Sequence, residues 1–515
     1  MATVSMVRKA PSTAPHALPW APQAAGLLAL AALAAGVPSA RAQQGGLTIT
    51  PGFSVTQTFT DNRNLSATDR QAESVTVLSP RVQISSRSGR VRGALDYSLN
   101  GVIYARNSSA NSVQNALSAV LNAEVVERHA FIDARASISR QSISALDLQG
   151  NRPDVINPNS TELRTFSVSP SLRGRLFGNV DVEAMLSSSI SSSADHRASD
   201  TFSHSGTVRI GDSSRRLGWS LSASRSISDY EGGRSTTQDS FSGQLSYNVD
   251  PTLRFFVSAG TERNDVLTVD QSAYDTWGGG FAWQPTPRTQ FSLQGQRHYY
   301  GNSRSLNFSH RMRRSVVTYT ETRSISESAS GAGVSLSLYE LYFIQFASLE
   351  PDPVLRDIRV RDFLLAAGLD PNQRLTGGFL NTALTVQTSR NLSLAVQGLR
   401  SNLVVTAFAT DTRRADKVST AQDDLSQVGV LLQHGVNVSV SHRLTPTSAV
   451  VVSGSHQRTR SSRGVPGNGL RSLNLSWSGQ VARQASVSLS ARHSQANGAN
   501  EYKENTLSAA LNLSF

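Results

Sequence analysis

Leu507-Ser508-Ala509-Ala510-Leu511-Asn512-Leu513-Ser514-Phe515 closes the chain, with Leu507, Leu511, Leu513 and Phe515 spaced by even intervals and Ser508, Ala510, Asn512 and Ser514 between them. Successive side chains of an extended chain point to opposite faces, so this is a strand with one apolar and one wet face, and it runs to the last residue. The same period recurs upstream. In FSGQLSYNV, Phe241, Leu245, Tyr247 and Val249 alternate with Ser242, Gln244, Ser246 and Asn248, and the pattern returns in VNVSVS from Val436, LNLSWS from Leu473 and VSLS from Val487. Short connections (Asp250-Pro251, Pro285 to Arg288, Leu444 to Thr447) alternate with long polar ones (Ser142 to Thr161, Asp411 to Asp424, Thr459 to Gly469). A soluble β-sandwich shares the strand pattern, whereas short turns at one end and long loops at the other are expected of a membrane-spanning barrel.

The two ends of the chain choose between these. Arg8 and Lys9 precede the apolar stretch Ala24 to Val37, and Ala40-Arg41-Ala42 forms a small-x-small cleavage site, which predicts a removed signal peptide over residues 1–42. The stretch is too short and Ala-rich for a spanning helix, and no comparable run follows it, so any membrane crossing falls to strands. For an exported all-β chain, a final strand ending on an aromatic residue has the form of an outer-membrane assembly signal, with Leu507, Leu511, Leu513 and Phe515 as its residues. Removing 42 residues from 515 leaves 473; at about 20 residues per strand and connection this predicts roughly 20–24 strands, an even number centred on about 22. The expected fold is therefore all-β, a large antiparallel transmembrane β-barrel over residues 43–515 in the outer membrane.

Composition agrees and narrows the chemistry. Only 38% of residues are hydrophobic and 17% charged, low for a set of soluble domains with dense cores. Cysteine is absent, which excludes disulfides, thiolate metal sites and cysteine nucleophiles. The formal charge of +12 falls to +9 without Arg8, Lys9 and Arg41, and lysine occurs only at Lys9, Lys417 and Lys503. In an exported chain this basic balance points away from nucleic acid and toward outer-membrane lipids, lipopolysaccharide included, or an anionic polymer.

One segment breaks the strand period. Near residues 350–370, Asp352 reads as an N-cap, Pro353 as the first turn and Gly368 as the stop of a helix whose Val360, Phe363, Leu364 and Ala367 share a face opposite Arg359 and Asp362. Such an insert either restricts the pore, with Arg356, Arg359 and Arg361 on the aqueous path and Phe363 on the docking face, or merely bridges two strands. Arg209 lies between Val208 and Ile210, and Arg254 between Leu253 and Phe255, so both are candidate lumen-facing cations suited to anions or acidic sugars. Trp219, Trp277, Trp283, Trp477, Tyr247 and Tyr299 are candidates for an interfacial aromatic girdle. Adjacent Ser–His pairs (Ser309-His310, His204-Ser205, Ser455-His456) point to opposite faces and cannot act as nucleophile and base. The ten histidines are scattered, so no catalytic, metal or cofactor site is expected.

The stretch WGGGFAWQPTPRTQFSLQGQRHYYGNSRSLNFSHRMRRSVVTYTETRS from Trp277, TPGFSVTQTFTDN from Thr50, Asp352-Pro353 with Arg356, and VSHRLTPTSAVVVSGSHQ from Val440 resemble the outer-membrane β-barrel proteins associated with PEP-CTERM/exosortase and exopolysaccharide loci. The resemblance spans essentially the whole mature chain and lies in strands and turns. It implies a porin-like barrel assisting envelope exopolysaccharide or PEP-CTERM-associated export, with the outer-membrane assembly machinery and export components as partners. The alternatives are a non-transporting scaffold barrel of an envelope assembly and, more remotely, a lipid-modifying barrel enzyme.

Overall fold

The computed structural model describes residues 46–515 except 87–88, 151, 153, 195–199, 213–215, 232–233, 327–338, 340–341, 344–345, 347–352, 367–378, 382–383, 417, 419–422 and 463. The expected signal peptide, Asp352, Ala367 and Gly368 thus lie outside the described residues, as do the side chains of Phe363 and Asp362.

Among the described residues 22 strands form a single antiparallel sheet. The first half comprises β1 (Leu47–Thr60), β2 (Glu73–Ser86), β3 (Val91–Tyr104), β4 (Ser112–Val126), β5 (Ala130–Ser142), β6 (Ser160–Leu176), β7 (Val180–Ser193), β8 (Thr201–Asp212), β9 (Leu217–Tyr230), β10 (Thr236–Asp250) and β11 (Leu253–Asn264). The second comprises β12 (Ser272–Thr286), β13 (Thr289–His298), β14 (Gly301–Arg311), β15 (Ser315–Ser326), β16 (Thr385–Gln397), β17 (Ser401–Arg414), β18 (Val430–Thr445), β19 (Ser448–Ser461), β20 (Gly469–Ala482), β21 (Ala485–Asn497) and β22 (Tyr502–Ser514). Each strand pairs with its sequence neighbours, and β22 pairs with β1 from Ser514 opposite Gly52 to Thr506 opposite Thr60, which closes the sheet. Closure leaves no unpaired edge in the hydrocarbon. Even β13, with 10 residues, is long enough to cross it.

The faces follow the sequence period. On β22, Leu507 and Leu511 are exposed on the outer wall, whereas Thr506 is buried on the inner face. The seam continues to the terminus, where the Phe515 amide donates to the Pro51 carbonyl at 2.9 Å. Inner walls carry hydroxyls that bond across strands: Ser222 to Ser242 at 2.8 Å, Ser224 to Ser240 at 2.7 Å and Ser455 to Ser472 at 2.6 Å. Outside, an aromatic row runs over β11–β14, with centroid separations of 6.0 Å (Phe255–Phe281), 5.4 Å (Phe281–Phe291) and 6.5 Å (Phe291–Phe308). Trp219, Trp277, Trp283 and Tyr247 are exposed on the same wall. Tyr299 departs from the expected girdle, being buried among loop residues with Tyr230, Val266 and Leu384.

Termini and short turns share one end. The three-residue β6–β7 turn places Phe177 at φ 51° and Gly178 at φ 81°, a left-handed pair that reverses the chain within the turn. All long connections emerge at the other end, and three of them converge. Ala145 from the β5–β6 loop and Phe379 from the β15–β16 loop pack with Leu425, Val428 and Leu431, the first two of these on α2 (Asp424–Val428). A parallel bridge joins Ser142 to Phe379.

Candidate functional site

The β15–β16 connection contains α1 (Pro353–Ala366), the expected insert. Its Pro353 occupies the first turn, where the missing N–H breaks no helical bond. Val360 and Leu364, one turn apart, are both fully buried and pack with Tyr342, Val404 on β17 and Val451 on β19. Val404 alternates with the outward Leu403 and Val405, and Val451 with the outward Val450 and Val452, so both belong to the inner wall and the helix lies inside the lumen. Burying two such side chains contributes about 1.5–3 kcal/mol each.

The opposite side of α1 is polar and held from another sector. The Arg361 guanidinium donates to Asp357 one turn back at 2.9 Å, to Asp96 on β3 at 2.8 Å and to Ser118 on β4 at 3.1 Å. Asp96 also accepts from Arg81 on β2 at 2.8 Å and from Gln83 at 3.3 Å. Tyr339 donates its hydroxyl to Asp357, and its ring lies 4.6 Å from the Arg361 guanidinium carbon. Burial disfavours the Arg361 charge, but Asp357 and then Asp96 more than offset this, so the guanidinium stays protonated. The Tyr339 phenol is pushed well above its usual range by burial and by the Asp357 charge.

The helix therefore bridges the β17–β19 wall and β3, which stands seven strands round from β18. For 22 strands about 4.8 Å apart and tilted about 40°, the wall-to-wall diameter is ~44 Å. A helix of 14 residues is ~21 Å long, so α1 fills a sector of the lumen and not its full width. Two large cavities remain beside it, the first at the short-turn end and the second running from the β5–β6 loop to that end. One, of about 1210 Å³, has Arg254, Gln290 and Asn307 on its wall; the other, of about 900 Å³, reaches Arg361 and the hydroxyl-lined walls of β20–β22.

The predicted residues divide as follows. Arg254 faces the lumen and Arg209, opposite Glu183 and Ser222, lies on the same inner face. They stand three strand spacings apart, ~14 Å laterally, and are offset along the strands as well, so they do not form one patch. Arg361 differs from the expectation: it is locked in the Asp357–Asp96 cluster and not free on the aqueous path, because a charge carried into a packed interior must be paired. Arg356 stacks over Phe343 at 4.9 Å, Leu355 beside it is partly exposed, and Arg359 is exposed. Sequence reasoning missed Asp96 and Arg81, whose only signal was a pair of opposite charges at inward positions near the middle of β2 and β3. It also missed a second cluster, in which Arg152 of the β5–β6 loop donates to Asp154 at 2.7 Å and Glu504 on β22 at 3.3 Å.

Two Ser–His contacts form across strands on the outer wall, Ser188–His204 at 3.0 Å and Ser401–His442 at 2.8 Å. Among the described residues no carboxylate orients either ring, and no cluster of metal-ligating side chains is present.

A closed sheet with an apolar outer wall, a hydroxyl-lined interior, short turns beside the termini and long loops opposite defines an outer-membrane β-barrel. No protein-family model and no curated protein matches the chain. Among solved structures it is similar to the FrpB iron transporter from Neisseria meningitidis (F5-1 variant, apoprotein form), at 10% identity and a TM-score of 0.47 over 90% of this chain and 81% of that one. It is also similar to the siderophore receptor PirA from Pseudomonas aeruginosa, at 9% identity and a TM-score of 0.34 over 91% and 80%. A third is the outer membrane protein opdK from Pseudomonas aeruginosa, at 9% identity and a TM-score of 0.35 over 91% and 99%.

Proposed function

We propose that this barrel is a gated channel for a polar polymer, serving the exopolysaccharide and PEP-CTERM-associated export that the sequence resemblance implies, with α1 as the gate. The observation that carries this reading is the position of α1 inside the lumen, docked by Val360 and Leu364 on one wall and latched by Arg361 to Asp96 near another. A helix that merely linked β15 to β16 would have no reason to bury a guanidinium against a distant strand. The interior suits a hydroxylated chain: its Ser, Thr and Asn side chains offer both donors and acceptors, and the charges on its walls are mostly arginines, which accommodate a neutral or acidic sugar.

The experiment is planar-bilayer recording of the full barrel and of a variant lacking residues 352–370. The gated channel gives low conductance in the intact protein, a several-fold rise in the deletion, and greater permeability of cells to large antibiotics, with unchanged heat-modifiable migration. Equal conductance of the two correctly assembled proteins refutes the gate and favours a scaffold barrel. Loss of secreted polysaccharide on deleting the gene, restored by the intact protein, tests the cargo separately.

A further inference from the structure

Charge on the outer wall is uneven just above the apolar belt, at the loop end. Over β6 to β17 several outward arginines are neutralised, Arg164 by Glu162 at 2.8 Å, Arg225 by Asp239 at 3.5 Å, Arg390 by Glu321 at 3.3 Å and Arg413 by Asp411 at 3.1 Å, while Arg263 on β11 and Arg297 on β13 stand singly on non-adjacent strands. The sector over β18–β20 is different. Arg458 and Arg460 on β19 alternate with the buried Gln457 and Thr459, and Arg471 on β20 alternates with the inward Ser472, so all three point outward and all three are exposed. Among the described residues none has a carboxylate within salt-bridge distance. His434 lies opposite Arg458 across the β18–β19 ladder, and His456 lies opposite Arg471, whose Nε donates to its Nδ1 at 3.3 Å.

Directly toward the membrane centre on the same strands come Val436, Val438, Val452, Leu473 and Leu475, all exposed on the outer wall. Three unneutralised guanidinium groups across two adjacent strands therefore cap an acyl-facing apolar strip. Adjacent strands are about 4.8 Å apart and alternate residues about 7 Å apart, so the three cations cover an area comparable to a phosphorylated sugar headgroup. Guanidinium forks pair two-on-two with phosphate oxygens, and at a lipid–water interface that attraction is less screened than in bulk water.

We propose that Arg458, Arg460 and Arg471, with His434 and His456 beside them, form a binding site for the phosphates of an outer-leaflet glycolipid whose acyl chains lie along Val436, Val452 and Leu473. The site rests on the outer-membrane assignment and is independent of whether α1 gates the pore. An acidic polysaccharide lacks the acyl chains that the strip below the arginines would hold.

The test uses the full barrel in detergent, delipidated and titrated with a diphosphorylated glycolipid, its enzymatically dephosphorylated form, inorganic phosphate and a soluble acidic polysaccharide. Native mass spectrometry reads occupancy, and the temperature at which the folded gel band is lost reads stabilisation. The expected result is retention of the phosphorylated lipid with a raised transition temperature, at least tenfold weaker binding of the dephosphorylated form, and no stabilisation by phosphate or polysaccharide. The triple variant Arg458→Gln, Arg460→Gln, Arg471→Gln should lose the phosphate-dependent increment, while Arg390→Gln with Arg413→Gln on the neutralised sector keeps it. Equal binding of the two lipid forms to the wild type overturns the proposal, as does an undiminished increment in the triple variant or stabilisation by the polysaccharide alone. If the triple variant fails to assemble, the wild-type comparison of the two lipid forms still decides it, and conductance is unaffected by either outcome.

Discussion

Replacing Arg361 with methionine keeps much of the side-chain volume and removes the charge that ties α1 to β3. Arg361 makes charged bonds to Asp357 at 2.9 Å and Asp96 at 2.8 Å, and one to Ser118 at 3.1 Å. Breaking a buried pair ordinarily costs about 3–5 kcal/mol, because the partner is left charged and alone. Here Asp96 keeps Arg81 and Asp357 keeps Tyr339, so the low end applies, about 3 kcal/mol. At about 1.4 kcal/mol per tenfold, the ratio of docked to undocked helix falls by roughly two orders of magnitude. The apolar anchor is of similar size, since Leu364→Ala removes about 2–5 kcal/mol. Arg361→Met alone is therefore expected to give brief openings, and Arg361→Met with Leu364→Ala to give long ones at the conductance of the 352–370 deletion. Single-channel recording measures both. Traces identical to wild type in the double variant, with the barrel correctly assembled, would refute the view that helix docking closes the pore.

Three further outcomes follow from the structure. The folded protein is expected in the outer-membrane fraction and to change gel mobility on boiling, because a closed ladder survives detergent until heated; recovery in the periplasm without a shift contradicts the barrel. Deleting Phe515 removes its bond to Pro51 and the aromatic end of the β22–β1 seam, so barrel levels are expected to fall several-fold while export across the inner membrane continues, as fractionation with protease protection would record. Asp424 on α2 accepts the Ala145 amide at 2.7 Å, and burial first, then the Asp423 charge, raises its carboxyl above the usual range. A raised carboxyl stabilises the closed loops fully below the ordinary aspartate value of about 4 and loses that contribution as pH rises through its folded value. Hydrogen exchange at Ala145 is therefore expected to quicken as pH rises above the ordinary aspartate value of about 4 in the wild type beyond the intrinsic rate, and Asp424→Asn is expected to abolish that excess; equal profiles refute the linkage.

The period of two in FSGQLSYNV and LSAALNLSF decided which face of each strand meets lipid, because alternation is a local property of an extended chain and needs no partner. Chain length and the average repeat were enough for the strand count, and Pro353 with the Val360–Leu364 spacing was enough for α1, since capping and amphipathicity are also local. The same reasoning put Arg254 on the inner face of its strand. It could not say that α1 lies inside the lumen, because that depends on Asp96, 265 residues away in sequence from Arg361, and on Val404 and Val451 arriving on one wall after closure. Tyr299 shows the same limit: its neighbours in sequence suited a girdle, but converging loops buried it. Nor could the sequence separate Arg458, Arg460 and Arg471 from the other arginines. Whether an outward cation is neutralised depends on which carboxylate the adjacent strand brings opposite it, and register across a closed sheet is set only when the tertiary structure forms.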